Sequence, residues 1–358
     1  MLNQLRSFKL FGSRTLKTGI AVFFTALICG YFDWPVIFAV ITAIVTIEHT
    51  AADSIRKAAV RFPASAIGAV LATTFYGLLG KGAITFALAA MLTIAVCHRL
   101  GLNDGILVAT ITAIAMIPTF QEHYVVSFLI RLGTTSIGIV ISTLVNFFLL
   151  PPNYFPSIHQ NIPRLYSQSS ALMAQILQPL ISGNRRNYRS LERSYRQLTS
   201  LLEETLQLAK FQREEWKYHK HSSKEVRAIH FSQKQLTLLQ QITYHLGNLR
   251  YIRTTQEDFS ERELEVLKRM ILSFVAILKK PGDGMPPEHI KGIQELDEMF
   301  WKWKEEHVKQ ETEQKHHLPP QTVLIYELLC LHEVLEELEK LYLSKFADKL
   351  SGENNPET

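Results

Sequence analysis

Charge is what the front of this chain has least of. Between Leu16 and Leu150 there are seven Lys/Arg and five Asp/Glu in 135 residues. So little charge over that length excludes an ordinary soluble surface and points to apolar surroundings. The remainder, from Pro151 to Thr358, carries 28 Lys/Arg and 28 Asp/Glu. That half is dense in charge and neutral, so it offers no basic face for a nucleic acid. Only three cysteines occur, Cys29, Cys97 and Cys330, far apart in sequence. They read as small buried hydrophobes and exclude a disulfide framework or a cysteine metal cluster. No G-x-x-x-x-G-K-[ST], G-x-G-x-x-G or G-x-S-x-G occurs, so neither a nucleotide-driven motor nor a hydrolase elbow is expected. Basic residues precede the first apolar run without a small-residue cleavage pattern after it, so no signal peptide is expected.

What is present is a series of apolar runs. Six follow one another: 18–32, 34–47, 62–80, 82–97, 105–119 and 124–150. Spanning a bilayer takes about 20 apolar residues. The second run reaches the lower limit of about 17 by continuing through Glu48 to Thr50, and the fifth is the least secure. Basic residues alternate between the connections. Arg6, Lys9, Arg14 and Lys17 precede the first run, none lies near Asp33, and Arg56, Lys57 and Arg61 precede the third. Only Lys81 follows it, Arg99 comes next, and the 121–123 turn has none. By the positive-inside rule both termini are cytoplasmic, with Tyr31, Phe32, Trp34, Phe75, Tyr76 and Tyr124 near the outer interface. Ala64, Gly68 and Ala72, and likewise Thr134, Gly138 and Ser142, stand four apart, as close helix packing in lipid requires.

The expected organisation is all-α. It comprises a basic amphipathic arm (1–15), a six-span transmembrane bundle (16–150), a soluble cytoplasmic helical bundle (151–350) and a frayed tail (351–358). Prolines 151, 152, 156 and 163 are read as a stiff exit from the last span. Helices are predicted at 162–181, 188–219, 224–254, 260–278, 288–315 and 321–350, as an antiparallel bundle or long coiled hairpins. Ser260 and Glu263 make a capping box. His219 with His221, and the pair His316 and His317, lack the partners of a metal site and read as loop residues. Phe300, Trp301 and Trp303 read as core packing. No cofactor, metal or catalytic set is expected.

A few polar residues inside the runs carry the functional signal. On a helix Arg131, Thr135, Gly138, Ser142 and Asn146 share one face. An arginine within a span faces an interior or a water-filled cavity, or else snorkels to the interface. Thr42, Thr46, His49 and Asp53 share a face of the second run, with Glu48 beside it. Glu48 could exchange a proton, or pair with Arg56 or Lys57 at a helix end. Asp53, or Thr50, reads first as the cap of the following helix. The candidate substrate residues are thus Arg131, Thr135, Thr42 and Thr46, and the candidate proton residues Glu48, His49 and Asp53.

The stretches Arg14–Gly19, Phe38–Val45, Glu48–Thr50 and Arg61–Ala69 resemble the aromatic acid exporter family, related to fusaric acid resistance proteins. The likeness is to its short bacterial branch, a six-span unit with a helical cytoplasmic domain. A proline commonly follows the matching glutamate there; this chain has His49. The resemblance implies a multi-pass protein of the bacterial cell membrane that exports small aromatic carboxylic acids, coupled to protons. It also implies a homodimer or higher homo-oligomer, because other members hold two membrane units. The expected partners are membrane lipid and the acid, with no nucleic acid. The rival expectation is a membrane scaffold or sensor whose helical domain binds a partner.

Overall fold

The computed structural model describes residues 12–119, 124–149, 152–183, 187–217, 222–309 and 318–353. Most of the expected arm lies outside them, as do the 121–123 turn, His219, His221, His316, His317 and residues 354–358. Among the described residues every regular element is helical. The helices are α1 (Ser13–Tyr31), α2 (Val36–Thr46), α3 (Ala51–Leu79), α4 (Ala83–Arg99), α5 (Ile106–Met116) and α6 (Tyr124–Phe148). After them come α7 (Phe155–Ser182), α8 (Tyr188–Trp216), α9 (Ser223–Leu249), α10 (Glu261–Lys279), α11 (Pro287–Lys309) and α12 (Pro320–Glu353). They form two compact units. One contains α1–α6 and the end of α8 from Phe211; the other contains α7, the rest of α8 and α9–α12.

In the first unit the usual distribution of side chains is reversed. The buried positions are small or hydroxylic: Ala21, Ala39, Ala43, Ala64, Ser65, Ala69, Ala72, Thr112 and Thr135 are wholly buried or nearly so. The large apolar side chains Phe23, Leu27, Ile37, Leu78, Ile84, Met91 and Leu129 are exposed. Water would penalise that arrangement, whereas lipid favours it, since small residues let backbones approach while bulky ones face acyl chains. Both predicted stripes sit at such contacts. A Cβ on Gly68 would collide with the Ala109 carbonyl of α5, and one on Gly138 would lie 2.5 Å from the Ala39 carbonyl of α2.

Two helices, α3 and α6 from Val125, are long and apolar enough to cross a membrane. Helices α2, α4 and α5 with its leading 3-10 turn are shorter apolar segments. Local chemistry sets the breaks. Asp33 adopts a positive φ of 52° before Trp34–Pro35, which ends α1. Gly80, with φ 67°, ends α3. Residues 47–50 are not helical, so α2 stops at Thr46 and does not continue to Thr50 as the apolar pattern suggested. The basic stretch 51–61 is likewise no turn. It forms the first three turns of α3, because Thr50 caps that helix by accepting from the Asp53 amide at 3.1 Å. Pro63 lies within α3 and removes one backbone hydrogen bond without ending it.

The second unit has the distribution of a protein packed in water. Leu165, Met173, Leu177, Leu198, Leu239, Leu267, Phe274, Leu328 and Leu335 are buried in one core cluster. Pro156 and Pro163 do not hold the exit stiff and non-helical. Pro156 sits in the first turn of α7, where its missing N–H costs nothing, and Pro163 lies inside that helix. The Ser260–Glu263 capping box is present, and Ser222–Glu225 makes a second one on α9. Trp303 packs on the core and donates to Glu263 at 3.2 Å. Trp301 departs from the core expectation, being half exposed beneath the Lys304 ammonium. Helix α11 is joined to its neighbours by a buried polar chain. Ser273 Oγ meets His289 Nδ1 at 2.9 Å, His289 Nε2 meets His332 Nδ1 at 3.3 Å, and His332 Nε2 lies 3.3 Å from Glu336.

Candidate functional site

Two polar clusters interrupt the otherwise apolar first unit. The inner one centres on Arg131 of α6, 4% exposed. Its Nη2 donates to Thr112 Oγ1 of α5 at 3.1 Å, and its guanidinium lies 4.2 Å above the Phe38 ring of α2. Thr112 Oγ1 is 3.1 Å from Ser65 Oγ of α3, which donates to Thr135 Oγ1 at 3.5 Å. Four helices thus bring one cation, three hydroxyls and an aromatic face together. Nε and Nη1 of Arg131 are buried and make no hydrogen bond within the described residues. A buried cation with no carboxylate beside it among the described residues, and with donors to spare, favours an incoming anion.

Arg131 and Thr135 are therefore brought together as the helical spacing indicated. Thr42 and Thr46 are placed differently. Both are buried, and both hydroxyls donate back along α2, to Phe38 O at 2.9 Å and Thr42 O at 2.6 Å. Thr42 serves the close approach of α2 to Gly138. Nothing in the sequence marks Ser65, Thr112 or Phe38 as partners of Arg131. Their only signal is a polar or aromatic position within an apolar run.

The second cluster surrounds the non-helical 47–50 connector. Glu48 pairs with Arg61 at 2.5 Å and with Lys57 at 3.0 Å, and Lys57 also pairs with Asp53 at 2.8 Å. Asp53 holds Arg56 at 2.5 Å as well. Glu48 thus pairs with Lys57, as its alternative reading allowed, and with Arg61 in place of Arg56. Asp53 supplies its backbone N–H to the Thr50 cap, so Thr50 is the capping side chain. His49 stacks on Phe211 of α8, ring centres 5.1 Å apart and planes 10° apart. With α2 ended at Thr46, the single face once shared by Thr42, Thr46, His49 and Asp53 no longer exists.

Residues from distant helices hold the connector. Asn146 Nδ2 of α6 donates to Glu48 O at 3.2 Å, Thr50 O at 3.0 Å and Ser54 Oγ at 2.7 Å. Its Oδ1 accepts from Lys17 Nζ of α1 at 2.8 Å. Arg14 donates to Ile47 O at 3.4 Å, and the Ala51 amide donates to Glu215 of α8 at 2.9 Å. These bonds satisfy backbone groups that a broken helix leaves open. Lys17 and Glu215 carried no functional signal in the sequence. Lys17 reads there as a flanking positive charge and Glu215 as one of many acidic residues on an amphipathic helix. Among the described residues no group of His, Cys, Asp and Glu is arranged to hold a metal.

Large apolar side chains outside, small polar ones inside and an arginine buried among hydroxyls are the arrangement of a helical membrane protein. Residues 9–149 match the model of aromatic acid exporter family member 1. Over 355 residues the chain is 45% identical to a UPF0421 protein of Bacillus cereus, covering 99% of this chain and 98% of that protein. It is 39% identical over 342 residues to a UPF0421 protein of Oceanobacillus iheyensis, covering 93% and 96%. A UPF0421 protein of Staphylococcus haemolyticus is 36% identical over 245 residues, 68% of this chain and 74% of that one. The chain belongs to the aromatic acid exporter family.

Proposed function

We propose that the protein exports small organic acids, aromatic carboxylic acids in particular, across a bacterial cell membrane. The observation that carries this reading is Arg131, buried among hydroxyls and an aromatic ring with two guanidinium nitrogens unbonded. An arginine tied to helix carbonyls would favour a scaffold; this one donates to a hydroxyl and keeps donors for a ligand. The carboxylate binds at Arg131 with Thr135, Ser65 and Thr112 around it, and Phe38 supports the apolar ring.

Six spans with both termini cytoplasmic fit the alternation of basic residues. Helix α2 supplies about 16 Å over 11 residues, and an extended connector of four residues adds up to about 13 Å. Together they match a hydrocarbon core of about 30 Å. Irregular backbone is tolerated there because Asn146 and Arg14 satisfy its carbonyls. Glu48 is the proton site in this scheme: its protonation releases Arg61 and Lys57 and loosens the connector. Asp53 shares Lys57, and His49 flanks the same connector. Thr42 and Thr46 line the route through their position on α2. The working form is a homodimer or higher homo-oligomer.

The test is release of labelled 4-hydroxybenzoate from proteoliposomes, with and without an imposed pH gradient. Arg131→Ala should slow release by about 10- to 100-fold, the worth of one or two charge-assisted hydrogen bonds. Glu48→Gln should abolish the response to the gradient. Normal, gradient-dependent release by both correctly inserted variants would sink the assignment.

A further inference from the structure

The second unit holds a cavity that the transport reading does not use. It has a volume of about 240 Å³ and lies among α7, α9, α10, α12 and the Lys280–Pro281 end of α10. Phe155, Tyr166, Phe231 and Tyr342 supply aromatic walls, and Lys279 and Lys345 supply positive charge. Among the described residues no aspartate or glutamate lines it. The walls are held by their own contacts. Phe231 meets Tyr342 edge to face at 5.5 Å, Phe155 stacks on His159 at 6.0 Å, and the Lys345 ammonium rests 4.2 Å above Phe231.

Tyr342 Oη accepts from Gln235 Nε2 at 2.8 Å. Tyr166 lines the same cavity and is 2% exposed, with its hydroxyl beside Gln235 and Tyr342. Burial holds its pKa well above the usual tyrosine range, with Tyr342 adding to the effect and a Gln235 hydrogen bond opposing it, so it remains protonated.

We infer that this cavity binds a small monocyclic aromatic carboxylate, its ring between the aromatic walls and its carboxylate reached by Lys279 and Lys345. Size and charge together select the class. A volume of about 240 Å³ accommodates one substituted ring. Two lysines, with no carboxylate among the described lining residues, favour a monoanion, and apolar walls favour its ring over a hydrated inorganic ion. The site lies wholly within the second unit and stands independently of Arg131. With the cytoplasmic placement proposed above, it would let this unit sense the acid that the membrane unit exports.

Equilibrium dialysis of the full-length protein in detergent against radiolabelled benzoate tests the inference. Measurements in an Arg131→Ala background remove the membrane site from the count. One equivalent should bind per chain there, weakened at least tenfold by the added pair Lys279→Gln and Lys345→Gln. Ala228→Met, which fills the cavity, should reduce binding similarly, and labelled benzyl alcohol should bind at least tenfold more weakly than benzoate. Absence of binding in the Arg131→Ala background overturns the inference while leaving the transport reading untouched. Binding that ignores both the lysine pair and Ala228→Met overturns it too, and equal binding of benzyl alcohol overturns the choice of an anion.

Discussion

The Ser273–His289–His332–Glu336 chain should make the second unit sensitive to acid, with a size that can be worked out. His289 is 1% exposed, and burial, with His332 beside it, lowers its pKa from 6.5 to about 4. His332 is lowered as well, chiefly by burial, although Glu336, Glu333 and Glu339 oppose the shift. A histidine with a depressed folded pKa is held neutral, so the unfolded chain takes up the proton first. Stability is therefore intact above about pH 6.5 and falls as the pH drops from there towards 4. For His289 alone the linkage relation gives a loss of about 2 kcal/mol between pH 7 and pH 5. In a unit of this size that corresponds to a drop of about 4–8 °C in Tm. The assay is thermal unfolding of the full-length protein in detergent at both pH values, followed by tryptophan fluorescence. His289→Gln removes the titration, so its Tm should fall less between the two pH values, by about that margin. Whatever its Tm at neutral pH, equal acid shifts in wild type and variant would refute the reasoning.

Three further substitutions in the first unit test where its helices touch. Gly68→Ala should destabilise by about 1–3 kcal/mol, because its Cβ meets the Ala109 carbonyl, whereas Gly77→Ala, facing open space in the same helix, should be neutral or stabilising. Detergent thermal stability of the pair separates the two, and similar losses would contradict the close approach of α3 and α5. Asn146→Leu should lower the melting temperature of the first unit by the equivalent of about 2–4 kcal/mol. It leaves two connector carbonyls and Lys17 without their shared partner. An unchanged melting temperature would show that the connector is held by other means.

Much of this protein follows from one-dimensional pattern. The change from 12 charges in 135 residues to a dense neutral mixture separates an apolar half from a polar one, because each medium tolerates only one of those surfaces. Helical periodicity placed Arg131 and Thr135 on one face, and small residues at intervals of four marked where helices touch. Such features depend only on neighbours within a few turns, which is why the sequence displays them. The Ser260–Glu263 capping box is equally local.

The remainder depended on residues far apart in the chain. Whether α2 runs through Glu48 is decided by Asn146, almost a hundred positions later, which bonds the unwound connector and is itself held by Lys17. Pro156 and Pro163 were misleading for the same reason: a proline's effect turns on whether its N–H was needed, and within α7 neighbouring packing outweighs the loss. Thr42 and Thr46 share the right face of α2 for a binding role, yet their hydroxyls are spent on their own helix. The partners of Arg131 come from α2, α3 and α5, and the cavity beside Tyr166 from helices spread over nearly two hundred residues. Sequence alone fixes which side chains an apolar or aqueous medium will accept. Only the packing of whole helices decides which buried polar atoms find partners, and Arg131 is left with donors to spare.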